Sequence, residues 1–119
     1  MEVKEHLIKN IKIAEVISKE TVIKNAEDGL ELLGSLYYQG FDSIIIYEQN
    51  IISDFFDLKN GIAGEILQKF SNYRMRLAIV GSFEAYTGKS IRDFIYESNN
   101  GKQINFLPTT IVALEKLSI

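Results

Sequence analysis

Three short apolar runs constrain this fold more than any other feature. They are Ser43-Ile44-Ile45-Ile46-Tyr47, Arg76-Leu77-Ala78-Ile79-Val80-Gly81 and Gln103-Ile104-Asn105-Phe106-Leu107. Continuous apolar runs of this length suit strands covered on both faces, as in a parallel sheet. Stretches with helical period separate them, which implies parallel neighbours joined by right-handed crossovers. Ahead of them, Val3, Leu7, Ile11, Ile13, Val16 and Ile17 alternate loosely around a turn-forming Lys9-Asn10. That segment reads as two short strands in a hairpin. Thr21-Val22-Ile23 can add a short extended piece. The expected architecture is an α/β sandwich: a mixed, mostly parallel sheet with an N-terminal hairpin at one side and about four helices.

The helix boundaries follow from capping chemistry. Asn25 is a good N-cap, and Asp28 places a carboxylate in the first turn. Leu30, Leu33 and Tyr37 then share a face, with Leu36 beside them, and Gly40 stops the helix. Ile62, Ile66, Leu67 and Phe70 mark the buried face of a second helix. Ser90-Ile91-Arg92-Asp93 has capping-box spacing, with Asp in place of the usual Glu, so Ser90 is expected to cap a third helix. That helix should bury Ile91, Phe94 and Ile95 and end at Asn99-Asn100-Gly101. Pro108-Thr109-Thr110 opens a last helix burying Ile111, Leu114 and Leu117.

Composition then removes whole classes of chemistry. At 119 residues the chain makes one domain with a real core. It has no Cys and one His. Disulfide scaffolds, thiolate metal sites and multi-histidine sites within one chain are excluded. The 13 basic and 16 acidic residues are interspersed, without the basic stripe a nucleic-acid partner requires. No apolar run approaches the roughly 20 residues that span a bilayer. The charged start, Met1-Glu2-Val3-Lys4-Glu5, does not resemble a signal peptide. These readings lead to a cytoplasmic protein with no nucleic-acid or membrane partner and no metal or cofactor.

Several residues carry candidate chemistry. Gly81 to Ser90 follows an apolar strand and ends in Gly-Lys-Ser, as a phosphate-binding P-loop does. A P-loop has four residues between its glycines so that its N–H groups close on a phosphate; here six intervene, and Phe83 stands where the first Gly belongs. The residual possibility is anion binding at free N–H groups near Ser90. His6 sits in a strand-like segment, with no base-orienting partner nearby in sequence. In open α/β sheets ligands bind beyond the carboxyl ends of the strands. A ligand edge of Glu48, Asp57, Ser82, Lys89, Ser90 and Thr109 is therefore expected there; the alternative is that Asp54 and Asp57 organise the turn. Phe55-Phe56 admits two placements: one ring inward and one exposed to a partner, or both folded into the core. Tyr37, Tyr38, Tyr73, Tyr86 and Tyr96, with Arg74, Arg76, Arg92 and Glu97, make a contact surface conceivable.

The stretch Phe55-Phe56-Asp57-Leu58-Lys59-Asn60-Gly61-Ile62-Ala63-Gly64-Glu65-Ile66-Leu67, following an apolar strand, resembles the central region of the sulfate-transporter and anti-sigma-antagonist (STAS) family. Asp57 matches that family's Asp, and Gly61-Ile62 its helix opening. The resemblance implies a STAS-like fold and a regulatory or protein-interaction role. Regulatory members are switched by phosphorylation of the Ser after the Asp. Here Leu58 stands in that place, followed by Lys59 and Asn60 with one extra residue before Gly61, so the phospho-switch does not carry over. Through Phe56 to Gly64, Lys69-Phe70-Ser71-Asn72-Tyr73, Leu77 to Gly81 and Asp93-Phe94 to Asn99, nearly the whole chain resembles a bacterial family called domain of unknown function 4180. The leading expectation is a non-enzymatic interaction module using Phe55, Phe56, Leu58, Lys59 and Asn60. The alternative is a small-ligand or anion-binding protein, or a weak enzyme, at the strand-end edge. Self-association as a homodimer through the N-terminal strands is a third expectation.

Overall fold

Lys9 and Asn10 both adopt positive φ, 52° and 68°, as a two-residue type I′ hairpin turn requires. They join β1 (Glu2–Ile8) to β2 (Ile11–Ile17), paired antiparallel from Glu2↔Ile17 to Ile8↔Ile11. Three further strands add in chain order, all parallel: β3 (Ser43–Tyr47), β4 (Arg76–Val80) and β5 (Ile104–Leu107). The sheet order is β1-β2-β3-β4-β5. The computed structural model describes residues 1–119. Thr21 to Ile23 forms no strand, only a parallel bridge from Ile23 to Ile51. No helix is long and apolar enough to cross a membrane.

Four helices complete the fold: α1 (Ala26–Tyr38), α2 (Ile62–Asn72), α3 (Lys89–Asn100) and α4 (Thr110–Leu117). Buried residues of the first three share one large cluster with Ala14, Val16, Ile44, Ile46, Leu77, Ile79, Ile104 and Phe106. Ala113 and Leu117 of α4 pack on the opposite sheet face, against Ile13, Ile45, Ala78 and Val80. Alternation along a strand sends successive side chains to opposite faces. The continuous apolar runs thus serve two unequal layers, three helices on one side and one on the other.

The caps at Asn25 and Thr109 form as the sequence implies: Asn25 Oδ1 accepts from the Asp28 N–H at 2.9 Å, and Thr109 Oγ1 from the Val112 N–H at 3.1 Å. Three expected faces are corrected. In α1 the buried stripe is Gly29, Leu32, Leu33 and Leu36, while Tyr37 is exposed. The helix is turned so that Gly29 meets α2, where a Cβ would lie 2.7 Å from Ile66 Cδ1. In α4 Ile111 is exposed, because the short helix reaches the sheet through Ala113 and Leu117. In α3 only Ile91 is fully buried, and Phe94 and Ile95 pack at the cluster's margin. Ser90 does not cap that helix: Gly88 holds the cap position without a side-chain bond, and Lys89 pairs with Asp93 at 2.7 Å instead.

Candidate functional site

Beyond β3 the chain makes three single 3₁₀ turns before α2. Phe55 and Phe56 fold back into the core, 1% and 5% exposed, so neither ring offers a free surface to a partner. Phe55 meets Phe56 edge-on at 5.1 Å, and Phe56 stacks on Tyr86 of the β4–α3 loop at 4.5 Å. Asn60 organises the entry to α2. Its amide donates to the Asp54 carbonyl at 2.7 Å, its Oδ1 accepts from the Ile62 N–H at 2.9 Å, and Gly61 turns the chain at φ 81°.

The β4–α3 loop is not a phosphate cradle. Glu48, at the end of β3, accepts from the Ser82 N–H at 3.1 Å and from the Tyr86 hydroxyl at 2.7 Å. An internal carboxylate thus holds the loop where a P-loop would hold phosphate. Burial and then the Glu48 carboxylate push the Tyr86 hydroxyl well above the usual tyrosine range. Gly81 permits the approach, since a Cβ there would lie 2.6 Å from both Glu48 Cβ and Oε1. Gly81→Ala is expected to displace Glu48 and cost about 1–3 kcal/mol, the usual range for overpacking. A urea titration against wild type checks this; an unchanged midpoint would show that the loop does not depend on Glu48.

The six-residue ligand edge therefore divides. Glu48 is committed to the loop, Ser82 lies in that loop with its N–H donated to Glu48, and Thr109 caps α4. The other three meet. Asp57, Lys89 and Ser90, with Phe56, Leu58, Lys59, Gly88 and Ile91, line an open cleft of about 710 Å³. One wall is the 3₁₀ loop and the other is the start of α3; Phe56 lies between them. The tyrosine surface also divides. Tyr37 and Tyr73 pack edge-on at 4.9 Å beside a separate cavity lined by Arg74 and Arg76, whereas Tyr96 borders a groove with Phe83 and Arg92. Arg76 is occupied, donating to the carbonyls of Lys102 at 2.7 Å and Lys116 at 3.1 Å.

Sequence reasoning missed a network around Glu15. This side chain, on β2 and 8% exposed, accepts from Tyr47 OH at 2.5 Å and lies 2.8 Å from His6 Nε2. Tyr47 OH also lies 2.6 Å from Thr110 Oγ1 at the start of α4. His6 thus has the carboxylate partner that its sequence neighbourhood does not reveal. Burial works to raise the Glu15 carboxyl, but the hydrogen bonds from Tyr47 and His6 and the charges of His6 and Lys4 bring it below its ordinary value. Burial and Glu15 push the Tyr47 hydroxyl upward. The available signal was a carboxylate in phase with Ile13 and Ile17 and set between the apolar Ala14 and Val16.

Neither curated proteins nor solved structures give a match to this chain. A family model described as Domain of unknown function (DUF4180) matches residues 8–117. That span runs from the end of β1 to the end of α4 and takes in the cleft, the Glu48 latch and the Glu15–Tyr47–Thr110 part of the polar network. The chain belongs to the DUF4180 family.

Proposed function

We propose that this protein is a non-enzymatic regulatory or protein-interaction module of STAS-like fold, acting in the bacterial cytoplasm, with its contact surface at the cleft between Asp57–Lys59 and Gly88–Ile91. The observation that carries this reading is the meeting of those two segments around one open cleft of about 710 Å³. The loop resembling the STAS switch region forms one wall. Half-buried Leu58 presents an apolar contact there, and exposed Lys59 and Lys89 flank it. An apolar centre with a charged rim is the usual make-up of a protein contact. Leu58 also leaves no hydroxyl at the switch position, so binding on this reading is not gated by a phosphoserine.

The test is affinity capture of the full chain from extract of its source cells, beside a Leu58→Asp/Lys59→Glu variant shown by circular dichroism to keep the wild-type fold. A stoichiometric partner retained by wild type and lost from the variant is expected. Absence of a stoichiometric partner, or equal retention by both, would overturn the reading. The runner-up is a small anionic ligand in the same cleft. It is favoured by Lys59, Lys89 and the first turn of α3, whose N–H groups no side chain caps. Thermal-shift measurements with inorganic phosphate, nucleotides and divalent cations separate the two, since a ligand binding only the native state raises the melting temperature.

A further inference from the structure

The two edges of the sheet are finished differently. At the β5 edge, Asn99 of α3 bonds both outward backbone groups of Phe106: its amide donates to the Phe106 carbonyl at 3.1 Å, and its Oδ1 accepts from the Phe106 N–H at 2.7 Å. A side-chain amide there takes the place of a neighbouring strand. No such group closes β1. The two-residue turn makes Ile8↔Ile11 a hydrogen-bonded pair, so Glu2, Lys4, His6 and Ile8 bond β2. Val3, Glu5 and Leu7 therefore aim both N–H and C=O outward, and no backbone or side-chain bond from elsewhere reaches them. Met1 and Leu7, on this same edge, are 73% and 65% exposed. An uncovered edge of this kind is a template for another strand.

We infer that β1 pairs antiparallel with β1 of a second copy, about a two-fold axis at Lys4, to give one continuous sheet through both molecules. The outward parity of Val3, Glu5 and Leu7 limits the registers to those that set odd residues opposite odd ones. An axis at Glu5 sets two glutamates directly opposite each other, each with only Lys12 at 3.7 Å to offset it. An axis at Val3 pairs fewer residues and leaves Leu7 uncovered. An axis at Lys4 lets Val3 of each copy exchange both backbone bonds with Glu5 of the other. It sets Glu2 against His6 and brings exposed Met1 against exposed Leu7. It also sets the two Lys4 side chains opposite each other, but each lies beside its own Glu15, its partner in the β1–β2 register, and diagonal to Glu2 of the second copy. Carboxylates of both copies thus flank the lysine pair, where only Lys12 of the same copy stands beside each facing Glu5. Leu7 of the second copy also falls at the mouth of the apolar groove formed by Met1, Val3, Leu32 and Leu36. The second copy is thus met by apolar contact and by unpaired backbone together, with the facing lysines flanked by carboxylates of both copies.

Sedimentation equilibrium of the full chain across a hundredfold concentration range is expected to show conversion from 13.5 kDa to twice that mass. Glu5→Pro removes an outward N–H, which an edge strand tolerates, and an exposed ion pair to Lys12 within the same copy. It deletes one backbone bond in each half of the pairing and should weaken association about 10- to 100-fold without changing the circular dichroism spectrum. The chain has no native Cys, so Lys4→Cys gives a unique thiol. In the proposed register it faces its copy across a non-hydrogen-bonded pair, and mild oxidation should give a disulfide dimer, whereas Glu5→Cys should not. This second variant keeps the test decisive should Glu5→Pro fail to fold. A wild-type chain that stays monomeric at every concentration, a folded Glu5→Pro that dimerises like wild type, or cross-linking through Glu5→Cys in preference to Lys4→Cys would overturn the inference.

Discussion

Phe56→Ala is expected to lower the unfolding free energy by about 3–5 kcal/mol, the range for truncating a fully buried aromatic ring. Phe56 is 5% exposed and touches four other rings: Phe55, Tyr86, Phe83 and Phe106. Those rings come from the loop after β3, the loop after β4, and β5 itself. Removing the central ring leaves a cavity that rigid neighbours cannot all collapse into, so the cost includes lost contact as well as lost burial. A chemical-denaturation series checks this: the midpoint should fall while the slope stays constant, which reports lost stability in an unchanged fold. Phe56→Leu should recover most of the loss, and Leu58→Ala, at a half-buried position, should cost only about 1 kcal/mol. Amide exchange between Ser82 and Gly88 should also accelerate, because stacking on Tyr86 is one of the two devices holding that loop. A Phe56→Ala cost below about 1 kcal/mol, the typical effect of an ordinary substitution, would show that the two walls of the cleft are not coupled through this ring.

Glu15→Ala is expected to cost about 2–4 kcal/mol, because it takes the shared acceptor from two neighbours at once. Tyr47 would retain only Thr110, and His6 would lose its carboxylate. The network ties β1, β2, β3 and the start of α4 together. Its pH dependence has a definite sign. The folded Glu15 carboxyl is held below its ordinary value of 4.5. Its stabilising contribution is therefore complete above the ordinary value and is lost as pH falls through the lower, folded value. Denaturation midpoints measured from pH 7 down to pH 3 should fall more steeply below about 4.5 in wild type than in Glu15→Gln. Parallel curves for the two would mean that the carboxylate gains nothing from its neighbours in the folded state.

The chain order of elements was legible because each depends on local pattern. Lys9-Asn10 sits between alternating apolar residues, Asn25 and Thr109 each precede an amphipathic stretch, and three apolar runs stand at βα spacing. The rotation of the helices was less legible. Tyr37 and Ile111 both fit an apolar stripe by period, yet both are exposed. Period places residues on a common face without saying which part of a broad face meets the sheet. In α1 the choice fell to Gly29, whose missing Cβ lets α2 approach. At the cleft, the sequence indicated Asp57, Lys89 and Ser90 through their place beyond the strand ends. It gave no means of separating them from Glu48, Ser82 and Thr109, because that separation depends on where two loops fold back.

The sequence by itself determined the strands, the helices, the hairpin and the absence of thiol chemistry. Each follows from composition or from interactions within a few residues. Tertiary structure alone decided that Glu48 closes the loop resembling a P-loop, from 34 residues away, and that Tyr47 joins Glu15 to Thr110 across separations of 32 and 63 residues. It also decided that one sheet edge is closed by Asn99 while the other is left open. The physical reason is common to all three. A side chain's hydrogen-bond partner is fixed by strand order and register, and no local periodicity encodes those across a crossover.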